Sequence, residues 1–174
     1  ESVEGSEVHH NWFHDSPKSG TRYDAPVSDP ELAGKKGLIH HNVMWNLSKA
    51  LMIKGDEQQI YNNTCFDNST NDISVMYEVY ANPPGGSSNG LTITKNNAAD
   101  KISGHRQNPQ TVPGTVSHNI YSTTSTDYGI KALLNDPDNY DFTPKSTSTQ
   151  LIDSGTIIDG INDGFSGSAP DIGA

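Results

Sequence analysis

Along this chain an aliphatic residue recurs three positions before an asparagine, and the surrounding six-residue pattern occurs five times. Each copy holds an aliphatic residue, two mostly polar ones, the asparagine, and two more positions of which the second is usually apolar. The copies are Val8 to Phe13 (VHHNWF), Ile39 to Met44 (IHHNVM), Ile60 to Cys65 (IYNNTC), Ile93 to Ala98 (ITKNNA) and Val116 to Tyr121 (VSHNIY). Their asparagines, Asn11, Asn42, Asn63, Asn96 and Asn119, are separated by 31, 21, 33 and 23 residues. A period of about 22 residues, enlarged twice by roughly ten, accounts for these intervals. The enlargements fall at Pro26 to Lys36 and at Asn82 to Asn89 (NPPGGSSN). Proline and glycine at these densities do not suit strand interiors, so surface loops are expected near 25–36 and 82–89.

A second polar position follows each repeat asparagine by four residues, at Asp15, Asn46, Asp67, Asp100 and Thr123. Short apolar runs come next, at Thr21 to Tyr23, Ala50 to Ile53 and Ile73 to Tyr77. Strands of about four residues between single-residue turns cannot form ordinary hairpins, but they can pair in parallel with their counterparts in the next repeat. The expectation is an all-β solenoid of about 22 residues per coil and roughly 5–7 coils, forming a single domain. Its aliphatic positions would stack inside, and its asparagines would hydrogen-bond to one another as a structural ladder. From Tyr128 the repeat dissolves into a stretch containing DPDNYDFTPKSTSTQ. Residues 128–174 therefore read as an irregular closing segment whose last strand covers the open end of the stack, where unpaired backbone would otherwise face solvent.

Composition supports turns over helices. Only 32% of residues are hydrophobic, and Gly, Asn, Asp, Ser and Thr abound. A net charge of −10 argues against a nucleic-acid partner, which needs clustered Lys and Arg. Cys65 is the lone cysteine and occupies an apolar slot of a repeat, so it reads as buried and inert. No apolar run approaches the roughly eighteen residues of a membrane span. Glu1 leads almost directly into the repeat at Val8, which suggests the C-terminal part of a larger protein with further coils before it.

The IHHN and IYNNT pieces give the chain a resemblance, over about Val8 to Tyr121, to bacterial right-handed parallel β-helix repeat proteins. These include pectate-lyase-like and alginate- or chondroitin-lyase-like enzymes. Gln150 to Gly155 (QLIDSG) and Gly164 to Ala174 (GFSGSAPDIGA) look like the ending of secreted members of that group. The resemblance implies a right-handed parallel β-helix, a secreted or cell-surface location and a polysaccharide partner. It also implies cleavage by β-elimination, with a lysine base and an arginine on neighbouring coils. Here the arginine precedes the lysine in the chain, the reverse of the order in that group.

Cleaving an acidic polysaccharide this way requires a cation to neutralise the uronate carboxylate while a base removes the neighbouring proton. Arg22 and Lys54 fall 11 and 12 residues after their repeat asparagines, so they are the candidate neutraliser and base. Tyr23, Asp24, Asp56, Tyr77 and Glu78 would extend them into a charged, aromatic-edged strip for a sugar chain. Alternatively, Arg22 and Lys54 pair with Asp24 and Asp56 on a solvated face. His10 and His41 occupy equivalent positions, each beside a second histidine, and His118 aligns with them. Such a stack could bind a transition metal, serve as a base or contact sugar. A tolerant polar strand edge explains it more simply, because Asn62 and Lys95 fill the aligned positions elsewhere. Calcium is a possible ligand of the aspartate column Asp15, Asp67 and Asp100, although no loop carries a calcium-specific spacing. Trp12 and Trp45 stand one and three residues after their asparagines, so they should not stack on each other, and one is a candidate sugar contact. Two functions from different classes follow: a polysaccharide lyase, or a non-catalytic glycan-binding or structural module.

Overall fold

The computed structural model describes residues 5–23, 36–54, 56–76, 90–105 and 110–174. Both expected loops lie almost wholly outside the described residues, as do Asp24, Tyr77 and Glu78. The described chain is all-β and dominated by two parallel sheets. The first takes one three-residue strand from each repeat: β1 (Glu7–His9), β3 (Leu38–His40), β5 (Gln59–Tyr61), β8 (Ile93–Lys95) and β10 (Thr115–Ser117), paired in that order. The second runs β2 (Trp12–Tyr23), β4 (Val43–Ile53), β6 (Thr64–Phe66), β9 (Ala98–Ser103) and β11 (Ile120–Ser122), with β7 (Asn71–Val75) pairing both β4 and β9.

Period-two alternation explains what lies inside. In the first sheet Val8, Ile39, Ile60, Thr94 and Val116 form one register column. In the second, Phe13, Met44, Cys65 and Ala99 are aligned, and so are Leu51, Ile73 and Ile102. Thr94 and Val116 apart, these residues share a core with Tyr23, Ile53 and Val75. Cys65 is fully enclosed, and burial pushes its thiol well above the ordinary range, consistent with an inert packing residue.

An asparagine ladder joins the repeats, with one corrected member. Asn11 donates to the side-chain oxygen of Asn42, Asn42 to Asn63, Asn63 to Asn97 and Asn97 to Asn119, through amide groups 2.9–3.1 Å from their acceptors. The fourth rung is Asn97, not Asn96, so the true intervals are 31, 21, 34 and 22. Ile93 is the aliphatic residue of this segment, but the chain places Thr94 at the interior position instead, which moves the rung on by one residue. Asn96 belongs to the preceding turn. There His10, His41, Asn62, Asn96 and His118 all adopt positive φ of 46–57°. Asn and His tolerate this left-handed conformation better than branched or bulky residues, which accounts for the composition of the column. Lys95 leaves that column and joins β8.

The expected aspartate column is likewise structural, and it loses Asp100 to the same one-residue shift. Asp15, Asn46 and Asp67 repeat a second left-handed turn. Asp100 accepts from the backbone N–H groups of Asp67, Gly129 and Ile130, so its two oxygens cap backbone rather than stand open.

Residues 128–174 pack on the flank of the stack, not across its open end. They contain two 3-10 helices, Ile130–Leu133 and Pro137–Asn139, and an antiparallel pair, β12 (Leu134–Asp136) and β13 (Asp141–Pro144). Ile130, Leu134, Phe142, Leu151 and Ile172 form a second core against Val43, Phe66 and Ala98 on the outer face of the second sheet. The outward Val43, Phe66 and Ala98 are apolar because they are covered, so short runs that are hydrophobic on both faces are the sequence signature of this flank. Lys131 bridges Asp67 and Asp138, and the chain end is tied down by Gly173 N–H to Asn96 O and Ala174 N–H to Thr64 Oγ1. Gly173 is required there: at φ +105° its backbone passes so close that a Cβ would stand 2.6 Å from Thr64 Oγ1.

Candidate functional site: a histidine array beside an aromatic groove

Four imidazoles form a two-by-two array where the first two repeats meet. His9 and His40 are register partners on β1 and β3, and their rings stack with centroids 5.0 Å apart and planes 4° from parallel. His10 and His41, one residue on in the equivalent turns, stack at 5.0 Å and 7°. Within each dipeptide the Nδ1 atoms approach to 2.7 Å (His9 and His10) and 2.8 Å (His40 and His41). Each such contact needs one N–H and one lone pair, so the tautomers in a pair are coupled. His40 Nε2 also lies 2.9 Å from Glu7 Oε1, and that contact holds the Glu7 carboxyl below its usual range. Burial, reinforced by the neighbouring imidazoles, pushes His41 down to about 4, so its ring is neutral near pH 7.

Beside the array an aromatic cluster joins the second sheet to the closing segment. Alternation on β2 and β4 turns Trp12, His14 and Trp45 outward. His14 stacks on Trp45 at 4.3 Å, and Trp45 lies parallel to Phe66 at 6.1 Å. Trp12 and Trp45 meet edge to face at 6.3 Å and 68°, so they touch without stacking, as their offsets predict. The closing segment supplies Tyr140 and Phe142: Tyr140 stacks on Trp12 at 5.6 Å and 11°, and Phe142 meets it edge-on at 5.2 Å. Tyr140 is set by a left-handed turn (φ 65°) after Pro137–Asn139. Trp12 is 54% exposed and Tyr140 57%, an unusual solvent exposure for two packed aromatics.

A groove of about 440 Å³ opens here, lined by His10, Trp12, His41, Tyr140, Phe142 and Thr143, among others. A second cleft of about 380 Å³ shares His41, Phe142 and Thr143 with it and continues along the closing segment past Asn62 and Asn162. No Lys or Arg lines either of them among the described residues.

The strip expected around Arg22 and Lys54 has a different geometry. Arg22 is exposed on β2 but its register partner is Met52, which places Lys54 two positions further along. Lys54 is 7% exposed, and its backbone N–H donates to Tyr23 O. Tyr23 is a core residue whose hydroxyl reaches Ser6. Asp56 accepts from the N–H groups of Glu57 and Leu91, holding a turn. Of the expected site residues among those described, His10 and His41 converge on a groove, together with Trp12, one of the two candidate sugar-contacting tryptophans. Tyr140 and Phe142 escaped sequence reasoning because they lie beyond the repeat; their alternation in DNYDFTP was the available signal.

Searches against protein-family models, curated proteins and solved structures return no significant match to this chain.

Proposed function

We propose that the chain is a right-handed parallel β-helix acting as a non-catalytic glycan-binding module, with the Trp12–Tyr140 groove as its binding site. The observation that carries this reading is the pair of exposed, mutually stacked aromatic rings at the edge of a groove whose polar lining includes His10, His41, Asp141 and Thr143 and no cation. Aromatic faces suit the apolar C–H face of a pyranose, and Thr143 and the histidines supply directional hydrogen bonds. Without a cationic side chain along the groove, uncharged sugar chains suit it better than polyuronates. β-Elimination has weaker support, because the base it would use, Lys54, is buried two register positions from Arg22.

The test is affinity electrophoresis of the whole chain in gels containing xylan, mannan, β-glucan, pectate or alginate, with ultraviolet absorbance for unsaturated uronate products in parallel. Retardation by a neutral glycan that is lost in both Trp12→Ala and Tyr140→Ala, without product absorbance, is the expected result. Absorbance growing with pectate or alginate, and lost in Lys54→Ala, would overturn it in favour of a lyase.

A further inference from the structure

The array also brings a carboxylate together with two imidazoles, and none of the three residues lines the aromatic groove. Glu7, His9 and His40 are, among the described residues, the one set of three His, Cys, Asp or Glu side chains whose ligand atoms all lie within 4.8 Å of one another. The placement follows from strand geometry. Glu7 and His9 flank the inward Val8 and therefore share the outer face of β1, and parallel register sets His40 of β3 beside His9. We propose that these three residues bind a divalent first-row transition ion of the zinc class, through Glu7 and one ring nitrogen each of His9 and His40.

Hydrogen bonding around the imidazoles decides which nitrogens would serve. His9 and His40 both present Nδ1 to a neighbouring ring, at 2.7 and 2.8 Å, which leaves Nε2 of each for a ligand. A histidine that ligates through Nε2 keeps its proton on Nδ1 and must donate it. His10 Nδ1 and His41 Nδ1 stand at the required distance to accept those protons. The array thus has two ligating rings and two orienting rings, each pair arising from the same His-His dipeptide in successive repeats. A simple polar strand edge does not require this arrangement.

The donor set, two imidazoles and a carboxylate, matches the three-protein-ligand pattern of zinc sites that keep a position open for water. Bonds of about 2.1 Å in tetrahedral geometry put ligand atoms about 3.4 Å apart. His40 Nε2 and Glu7 Oε1 are already at 2.9 Å. His40 is buried and fixed, whereas the Glu7 side chain is 49% exposed and His9 is exposed, so those two are free to close on the ion by rotamer adjustment. Because the ligands span β1 and β3, the ion would also clamp the first strand of the sheet to its neighbour.

Cobalt(II) and zinc(II), each added alone to the whole untagged chain, test the proposal. One equivalent of cobalt should bind with visible d–d bands of a low-coordinate nitrogen and oxygen site, and zinc should displace it in calorimetry. His9→Ala and Glu7→Gln alter exposed residues, so they should keep the circular dichroism of the parent and lower affinity at least tenfold. His10→Asn, which suits the left-handed turn occupied by Asn62 and Asn96 in other repeats, should lower it by roughly 10–100-fold through lost orientation of His9. His118→Ala should change nothing. Binding that is unaffected by His9→Ala or Glu7→Gln in a folded chain, or the absence of a stoichiometric cobalt spectrum, would overturn the proposal.

Discussion

Trp12 on β2 and Tyr140 beyond the last repeat lie face to face at 5.6 Å, so one contact links the start of the stack to its closing segment. If that stack helps hold the segment in place, the two residues are energetically coupled. A double-mutant cycle of Trp12→Ala and Tyr140→Ala, measured by urea denaturation, should give a coupling of about 0.5–1.5 kcal/mol. Additive single effects would mean that the enclosed cluster around Phe66 and Leu151 anchors the segment alone, and that the exposed pair is available wholly for ligand.

Thr94 is a second point where an energy can be assigned. It is fully buried in a column otherwise made of Val8, Ile39, Ile60 and Val116, and its Oγ1 has no hydrogen-bond partner among the described residues. Valine has nearly the same shape and removes the unsatisfied hydroxyl. Thr94→Val is expected to stabilise the chain by about 1 kcal/mol, visible as a raised denaturation midpoint with an unchanged m-value. A loss of stability would instead show that the hydroxyl has a partner in solution, such as an ordered water.

The same residue shows where sequence reading reached its limit. Repeats anchored by Ile39 and Ile60 could be aligned because hydrophobic residues mark interior positions, and those columns lie in the parallel register that spacing predicts. Where Thr94 replaces the aliphatic residue, the adjacent Ile93 captured the alignment, and the ladder was misplaced by one residue at Asn96. The equivalence of His10 and His41 was legible from their spacing, but the contacts of the adjacent strand histidines depend on pairing between repeats: Glu7 with His40, and His9 with His40. The groove was illegible for a further reason. Tyr140 and Phe142 follow no repeat, and their meeting with Trp12 is fixed by how residues 128–174 lie on the flank. Lys54 looked like a surface base because charge alone cannot report burial.

The ladder should weaken from its middle outward. Asn63 is fully buried; the two hydrogens of its Nδ2 are shared among Ile39 O, Tyr61 O and Asn97 Oδ1, and its Oδ1 accepts both the backbone N–H and the amide of Asn42. Asn63→Ala leaves several enclosed polar groups unpaired, each costing about 1–3 kcal/mol, so a loss of at least about 3 kcal/mol is expected. Asn11 makes a similar set of contacts at an exposed edge, where water replaces them, and Asn11→Ala should cost only about 1 kcal/mol. Equal losses at the two sites, measured by chemical denaturation, would rule out burial as the source of the ladder's strength.

Asp72 makes stability depend on pH in a direction opposite to that of an ordinary surface aspartate. Burial, assisted by the nearby Asp100, pushes its carboxyl up to about 7 from an ordinary value of 3.8, against the opposing influence of Asn68 and Lys101. Asn68 Nδ2 donates to Oδ1 and the Lys101 backbone N–H donates to Oδ2, each at 2.6 Å, but these two bonds do not offset removal from water. Between about pH 4 and 7 the folded chain therefore holds this proton more tightly than the unfolded chain does. The Asp72 contribution is most favourable below that window, falls as pH rises through it, and levels off above pH 7. Asp72→Asn removes the titration, yet its amide can accept only one of the two donors and must turn its NH2 toward the other. The variant should consequently be offset in stability at acid pH, where the parent carboxyl is protonated, and should lose less stability than the parent between pH 5 and 7. Urea midpoints at those two pH values test this directly: an unchanged slope in Asp72→Asn would show that the carboxyl is ionised throughout the range, with Lys101 and Asn68 compensating its burial.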